Sequence, residues 1–344
     1  MTTTAPEQAA GAPAARKQSP QMSPQGSGKL AALLLSPTFI ALGVVIAYPL
    51  IAALRESLYR REEGLDENGF VIQGDNFVGL KNFSAVFQGE AANRFWNAFG
   101  NTTYFTLISV SIEIVIGVSM ALIMHHALRG RGLVRASILV PWAIPTAVSA
   151  LLWRWIFQTD GVANALLGSQ VLWTAEGQQS FWAVVIADTW KTAPFIGLLT
   201  LAGLQVISND VYEAARVDGA NAWRTFWQIT LPLVKPALLV AVLFRALDVL
   251  RMFDLPFVMI GAHKQSVETL SMLAYDEASN VRFGPAAAYS TLLFIYVVII
   301  AVAFVKLLGA DIVGEARARK KEAARQVTKT TVPVLAVSTP GGGV

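Results

Sequence analysis

Residues 208–232 read SNDVYEAARVDGANAWRTFWQITLP. A side-chain oxygen from one of residues 208–210 can cap a helix, because the first N–H groups of a helix lack partners. Gly219 is typical of a helix end, and Asn221 can begin a second helix whose apolar side chains, from Trp223 onward, share one face. The stretch therefore predicts a short helix–turn–helix. It either anchors itself at a membrane surface through tryptophan or docks into a groove of another protein.

The composition around this stretch indicates lipid as the solvent. The 344 residues are 54% hydrophobic and 15% charged, with a mean hydropathy of +0.50. Soluble domains are about 45–50% apolar and about a quarter charged, so this chain has too little charge to cover a surface in water. It contains no cysteine and three histidines. Disulfides, Cys-ligated zinc and thiol nucleophiles are thereby excluded, and we expect neither a metal site nor catalytic residues.

Apolar stretches long enough to cross a bilayer occur along the whole chain. Residues 30–54 carry no charge, and a helix of that length crosses ~30 Å of hydrocarbon at ~1.5 Å per residue. Six stretches are predicted to be transmembrane helices, over residues 30–54, 101–124, 136–157, 181–207, 231–259 and 285–305.

Lysine and arginine are unevenly distributed among the connecting segments. They concentrate in the N-terminal tail, between helices 2 and 3, between helices 4 and 5, and after helix 6. Because basic residues accumulate on the cytoplasmic side, both termini and the helix–turn–helix are predicted to be cytoplasmic. The net charge of +4 then reflects membrane topology, and nucleic-acid binding is excluded.

The remaining segments define the domain organisation. Residues 1–29 are predicted to be a disordered cytoplasmic tail, because they lack an apolar period. Residues 30–308 form the transmembrane domain. The outer loop, residues 55–96, has mixed charges and phenylalanines and is predicted to be a small ordered cap. Residues 309–344 are predicted to be a second, largely disordered cytoplasmic tail.

Several motifs are similar to those of one family. Residues 213–232 have the spacing E-A-A-x3-G-x9-I-x-L-P, which resembles the EAA motif of the permeases of binding-protein-dependent ABC importers. Three further stretches resemble segments of the carbohydrate-importing branch, the maltose- and glycerol-phosphate-type permeases: FVGLKNF at 77–83, NAFGNT at 97–102 and VPWAIP at 140–145. The resemblance extends from about residue 30 to residue 305, and trehalose-importer permeases are the most similar in pattern.

This resemblance implies a fold and a set of partners. The fold is an all-α membrane protein with six transmembrane helices, the transmembrane domain of a type-1 ABC importer in the cell (cytoplasmic) membrane, with a cytoplasmic coupling helix–turn–helix between helices 4 and 5. The implied partners are a second, different permease, two copies of a cytoplasmic ATPase and an extracytoplasmic sugar-binding protein. The implied function is ATP-driven import of a sugar, with a disaccharide such as trehalose as the expected substrate.

ATP hydrolysis is predicted to lie on a partner. The chain contains no G-x-x-x-x-G-K-[ST] phosphate loop, the motif with which ATPases of this kind cradle phosphate. We therefore expect that the chain is not itself an enzyme, that it binds no cofactor, and that ATP and Mg²⁺ bind to the ATPase. The resemblance assigns contact with that ATPase to Glu213, Ala214, Ala215, Asp218 and Gly219.

Charged residues inside the predicted spans indicate where a solute passes. Each costs about 2.5–3.5 kcal/mol on insertion scales, so it normally faces protein or water. Position matching to maltose-type permeases and the local spacing together predict a substrate pathway lined by Trp142, Thr146, Asp188, Lys191, Thr192, Phe195, Arg245, Asp248, Arg251 and Met252. The charges depart from the amides and hydroxyls of the maltose permeases, so the substrate of those proteins does not transfer.

The same charges could instead pair with one another inside the protein. The pairs predicted from spacing are Asp188 with Lys191, Asp248 with Arg245 or Arg251, and Arg251 with Asp254. Glu113 in the second span and Arg154 near the end of the third have no partner predicted from spacing. The bend expected at Pro141 and Pro145 either exposes carbonyls to the pathway or is a packing kink.

Two other function classes compete with the importer. An ion-coupled secondary transporter needs no coupling helix and often shows inverted repeats, and no such repeat is evident. A polytopic membrane enzyme needs a clustered acid–base or metal set, which three scattered histidines do not supply. Neither class accounts for residues 213–232.

Overall fold

The computed structural model of the protein describes residues 24–65, 71–126 and 130–330, and describes only the backbone of residues 24–31, 61–65, 71–73, 131 and 307–330. The helices are α1 (Pro24–Leu42), α2 (Tyr48–Glu56), α3 (Lys81–Val86), α4 (Gly89–His125), α5 (Arg131–Ala143), α6 (Thr146–Ile156), α7 (Val162–Leu167), α8 (Gln178–Gln205), α9 (Asn209–Val217), α10 (Ala222–Thr225), α11 (Leu231–Val249), α12 (Asp254–Met259), α13 (Leu270–Ser279) and α14 (Phe283–Thr330). Two strands, β1 (Tyr59–Leu65) and β2 (Val71–Phe77), pair antiparallel. The chain divides into two compact units, Met1–Ala52 and Ala53–Val344.

The membrane spans agree with the sequence prediction in number and in order. Within the described ranges, five helices are long and apolar enough to cross a bilayer, and a bent pair can supply a sixth span. The five are Ala32–Glu56, Gly89–His125, Gln178–Gln205, Ala222–Val249 and Phe283–Lys306. The prediction of an all-α membrane protein is confirmed.

The third predicted span, residues 136–157, is broken rather than continuous. α5 and α6 meet at 93° across a two-residue break. The ψ angles of Ile144 and Pro145 are 133° and 141°, which is extended backbone. Proline has no N–H and pushes the preceding residue out of the helical region, so the break follows directly from Pro145. The expectation of a bend is confirmed, and the single helix over 136–157 is corrected.

The fifth predicted span, residues 231–259, is wrong at both ends. It begins earlier, because α10, a π-helical turn (Phe226–Thr230) and α11 form one stretch from Ala222 to Val249. Pro232 does not interrupt this stretch, because the wide turn before it, with its i→i−5 hydrogen bond from Leu231 to Phe226, accommodates the proline at the start of α11. At the other end, α11 stops at Val249 and α12 begins separately at Asp254.

The predicted tails are helical where the structure describes them. α1 already begins at Pro24, and α14 continues to Thr330. The stretch 315–325, EARARKKEAAR, consists of residues with high helix propensity, which explains why the last helix extends past residue 308. The rest of the predicted tails, residues 1–23 and 331–344, lies outside the described residues.

The described part of the outer loop, residues 55–96, contains the hairpin and α3. The buried Asn82 amide nitrogen donates to the carbonyl oxygens of Ser57 (2.9 Å) and Tyr59 (2.8 Å). Asn82 thus ties α3 to the chain entering β1.

Helix α8 is the centre of the packed bundle. In its apolar stretch 72% of the residues are buried, against 33% in that of α4, and it packs against α4, α11 and α5. α4 and α8 approach closely at Gly117 and Gly197: a Cβ on Gly117 would lie 2.8 Å from Cβ of Ile196 and 3.0 Å from the carbonyl oxygen of Ala193. Small residues let helix backbones meet in this way in membranes.

Two apolar clusters lie along this bundle. One contains Phe105, Val184 and Val249, and the other contains Met124 and Leu204. Two charged residues stand within the run of the first cluster: Glu113 lies between Ile112 and Ile114 on α4, and Arg245 lies between Val242 and Ala246 on α11. Both charged residues are buried.

The glycine contact predicts a position-specific loss of stability. We expect Gly117→Ala to lower the melting temperature of the detergent-solubilised protein, because the added methyl group overpacks the α4–α8 contact at a cost of about 1–3 kcal/mol. Gly100→Ala on the same helix is the matched control, because its Cβ would meet only Tyr104 at 3.9 Å. Equal melting temperatures for the two variants would show that the close contact is absent.

Candidate functional site

Arg245 on α11 is the centre of a buried ionic network. Its Nε donates to Oε2 of Glu113 on α4 (2.7 Å), and its Nη2 donates to Oε1 of the same carboxylate (3.1 Å). Nη2 also contacts Oδ2 of Asp188 on α8, and Nη1 donates to Oδ2 of Asp248 (2.7 Å). One guanidinium therefore joins three carboxylates from three spanning helices.

Glu113 is the functional candidate that the sequence prediction left without a partner. It is 0% exposed, and besides Arg245 it accepts a hydrogen bond from the Thr192 hydroxyl at 2.8 Å. The only sequence feature that pointed to Glu113 as a functional residue was its isolated charge in an apolar span. The spacing rules could not find its partner because Arg245 is 132 residues away.

The pairing expected from spacing is found for one of the three predicted cases. Asp248 pairs with Arg245. Among the described residues, Lys191 forms no ion pair within 4.0 Å, and neither do Arg251 and Asp254. Arg251 instead donates from Nε to the carbonyl oxygen of Leu247 (3.1 Å).

Exposure differs sharply within the network. Arg245 and Asp188 are 3% and 5% exposed, and Lys191 is 8% exposed. The side chain of Asp248, in contrast, is 65% exposed. The network therefore exposes the Asp248 carboxylate, whereas Arg245 is buried, as is Lys191, which forms no ion pair among the described residues.

The broken third span contributes an aromatic and a hydroxyl side chain to the predicted pathway residues. The rings of Trp142 on α5 and Phe195 on α8 are 5.8 Å apart, and Trp142 is exposed. Thr146 is the first residue of α6 and is half-buried. Met252, in contrast, is buried in an apolar cluster, so this predicted pathway residue packs in the core.

The segment 208–232 forms the two helices expected from its sequence. The Ser208 hydroxyl accepts a hydrogen bond from the Asp210 N–H (3.3 Å) and begins α9, and Asn221 Oδ1 accepts from the Arg224 N–H (2.8 Å) and begins α10. Gly219 has φ +75° between them, a conformation that glycine adopts without strain.

The motif residues of this segment face two directions. Glu213, Ala214, Asp218 and Gly219 are exposed, whereas Ala215 is buried. Ala215 therefore packs against this chain, and only the other four are available for a partner. A cavity of about 730 Å³ lies between this segment and the end of α4, lined in part by His125, Tyr212, Glu213 and Phe226.

The ionic network predicts a strong dependence of stability on its cation. We expect Arg245→Met to lower the unfolding free energy by about 3–5 kcal/mol, because it leaves buried carboxylates without a partner. The measurement is thermal unfolding in detergent, with Arg251→Met as the control, since that exposed arginine bonds only to a backbone carbonyl. If both variants have the melting temperature of the parent protein, the network does not stabilise the fold.

Comparison with known proteins places this chain in a family. Residues 113–313 match the family described as binding-protein-dependent transport system inner membrane component, to which the EAA motif belongs. The chain is 38% identical over 285 residues to the trehalose/maltose transport system permease protein MalF of Thermococcus litoralis, covering 81% of this chain and 93% of that one. It is 39% identical over 286 residues to the trehalose transport system permease protein SugA of Mycobacterium tuberculosis, covering 82% and 89% of the two chains.

The fold is also found among solved structures. A chain of a bacterial ABC transporter involved in the import of the acidic polysaccharide alginate superposes with a TM-score of 0.69 at 21% identity, covering 83% of this chain and 96% of that one. The two competing classes, ion-coupled transporter and membrane enzyme, do not fit these matches. This chain belongs to the family of binding-protein-dependent transport system inner membrane components, as a permease subunit of the ABC sugar importers.

Proposed function

We propose that this chain is one of two different membrane subunits of an ATP-driven disaccharide importer, with trehalose as the substrate. The observation that carries the proposal is the exposed EAA segment, in which α9 presents Glu213 to a partner. The choice of trehalose is supported by the two relatives named for trehalose and trehalose/maltose transport, which match over most of both chains.

The partners follow from what the chain lacks and from its family. The sequence holds no phosphate-binding loop, so two copies of a separate ATPase bind ATP and Mg²⁺ and hydrolyse the nucleotide. A second permease completes the pathway. An extracytoplasmic sugar-binding protein delivers the substrate, as in the similarly folded alginate transporter solved with a periplasmic protein bound to a pentasaccharide. The excess of basic residues places both termini in the cytoplasm.

The sugar pathway runs along the network and the break in the third span. A pyranose needs donors and acceptors at its rim and an apolar surface against its C–H faces. The exposed oxygen atoms of Asp248 and the indole of Trp142 beside Phe195 supply both kinds of contact. Backbone at the break is suited to the same purpose, because irregular backbone at membrane depth is tolerated where it lines a cavity.

Coupling between ATPase and pathway has a direct mechanical route. The stretch Ala222–Val249 is helical throughout, so it links the segment beside α9 to Arg245 over about 35 Å, at ~1.5 Å per residue. Because Arg245 is bonded to α4 and α8, these helices move together when the ATPases close. The sugar pathway then opens outward to receive sugar, and hydrolysis reverses the motion.

The first experiment tests the assembly. The tagged chain is extracted from its native membrane in a mild detergent, and the proteins that accompany it are identified by mass spectrometry. We expect an ATPase, a second six-helix permease and a sugar-binding protein, and the ligand of the binding protein identifies the substrate. Recovery of the folded chain alone would mean that residues 208–232 are only a surface anchor.

Reversal of the exposed motif charge should uncouple the importer. We expect Glu213→Lys to abolish both sugar uptake and sugar-stimulated ATP hydrolysis in proteoliposomes while membrane insertion remains normal, because the contact with the ATPase becomes repulsive. Glu90→Lys, at an exposed acid in the first turn of α4, is the control and should retain uptake. Normal uptake by Glu213→Lys would overturn the coupling assignment.

Loss of a pathway carboxylate should separate transport from assembly. We expect Asp188→Ala and Asp248→Ala each to reduce uptake at least tenfold while the ATPase still copurifies, because the site of contact with sugar is far from α9. Asp160→Ala, at an exposed turn after α6, serves as the control. Parent-like transport kinetics in both variants would remove these two residues from the pathway.

A further inference from the structure

We propose that Asp248 is a specificity-determining residue that repels anions, so that the pathway admits uncharged sugars and rejects those with phosphate, sulfonate or carboxylate groups. This inference rests on the proposed function, because it assumes that the exposed side of the network faces the substrate pathway. It goes further by assigning the discrimination to a single carboxylate.

The first observation is the difference in exposure between the acid and the bases of the site; the open side of the network is the side on which Asp248 is exposed. The two cations of the site, Arg245 and Lys191, are 3% and 8% exposed. The side chain of Asp248 is 65% exposed. A solute that approaches the network therefore meets a carboxylate before it can meet a cation.

The second observation is the balance of charge. Glu113, Asp188 and Asp248 are three acids, and Arg245 and Lys191 are two bases, so the formal charge of the site is −1. The guanidinium of Arg245 already donates four hydrogen bonds to the three carboxylates. Arg251 does not reverse the balance, because the exposed Asp254 lies three residues away and Arg251 is bonded to a backbone carbonyl.

The third observation concerns hydrogen-bonding capacity. Asp248 uses Oδ2 for Arg245, and no bond to its Oδ1 is found among the described residues. An ionised carboxylate only accepts hydrogen bonds, so Oδ1 can take a sugar hydroxyl as donor. An ionised phosphate or a sulfonate offers only acceptor oxygens and a like charge, so it gains no hydrogen bond from Oδ1 and is repelled by it.

Removal of this carboxylate should weaken the selectivity against anions. Without Asp248, Nη1 of Arg245 loses its partner, and the formal charge of the site becomes zero. An anion could then bind at Nη1, because Glu113 and Asp188 are bonded to Nε and Nη2.

The absence of cysteine from the natural sequence allows a direct test of this local potential. Phe244 is exposed and lies one helical turn before Asp248 on the same face of α11. A single cysteine is introduced as Phe244→Cys in the full chain, in membranes that contain the assembled importer. The thiol is modified either with a cationic reagent, trimethylammonium-ethyl methanethiosulfonate, or with an anionic one, sulfonatoethyl methanethiosulfonate. The modification rate for each reagent is divided by its rate with a free thiol in solution, and the two normalised rates are then compared.

We expect the cationic reagent to react at least tenfold faster than the anionic one. Asp248→Asn in the same background should lower the ratio of the cationic to the anionic rate at least fivefold. Asp248→Glu should restore this ratio. A purely structural role for Asp248 would not make the ratio follow the charge at this position. Asp160→Asn removes an equal charge far from the site and should leave the ratio unchanged. A ratio near one in the parent, an unchanged ratio in Asp248→Asn, or a thiol that neither reagent modifies would overturn the inference.

Trehalose uptake is measured in the same membranes for each cysteine variant. Failure of the proposed function appears as absent trehalose uptake in the unmutated importer. Failure of this inference appears as an unselective thiol in membranes that still take up trehalose.

Discussion

The arrangement of the bundle depends on how one buried guanidinium is satisfied. An arginine within the hydrocarbon region is tolerated only where protein or water supplies its partners, and Arg245 finds them in Glu113, Asp188 and Asp248. Because the acids come from α4, α8 and α11 itself, their bonds set the depth and rotation of these helices relative to one another. Removal of the cation would leave the buried carboxylates Glu113 and Asp188 without their partner.

The close approach of α4 and α8 makes this network possible. Gly117 lies one turn from Glu113, and the absence of a side chain there brings the two helix backbones together. Thr192 on α8 then reaches Glu113 across the same contact. Packing and electrostatics thus depend on each other: the glycine contact sets the distance, and the ion pairs set the register in which the small residues meet.

The same bundle connects the proposed ATPase contact with the proposed sugar pathway. The helical stretch Ala222–Val249 joins the exposed EAA segment to Arg245 without interruption, so a displacement at the membrane surface reaches the network inside the bundle. The third span differs, because the break before α6 at Pro145 divides it into two short helices that meet at 93°. The network presents Asp248 to the open side, where its charge decides which solutes can approach.

The sequence alone determined the class of protein, because charge content, apolar length and the spacing from Glu213 to Pro232 are local properties. It also placed one cap correctly at Asn221 and the other within residues 208–210, where Ser208 is the cap, since a cap depends on residues within one turn. It could not determine the partner of Glu113 or the burial of Ala215, because both depend on residues distant in the chain. Nor could spacing show that α11 ends at Val249 or that Lys191 lacks an ion pair within the described residues. Only the tertiary structure decides these points. Which charges meet depends on how three helices are placed relative to one another, whatever their separation in the sequence. In the low dielectric of the interior, those contacts are strong.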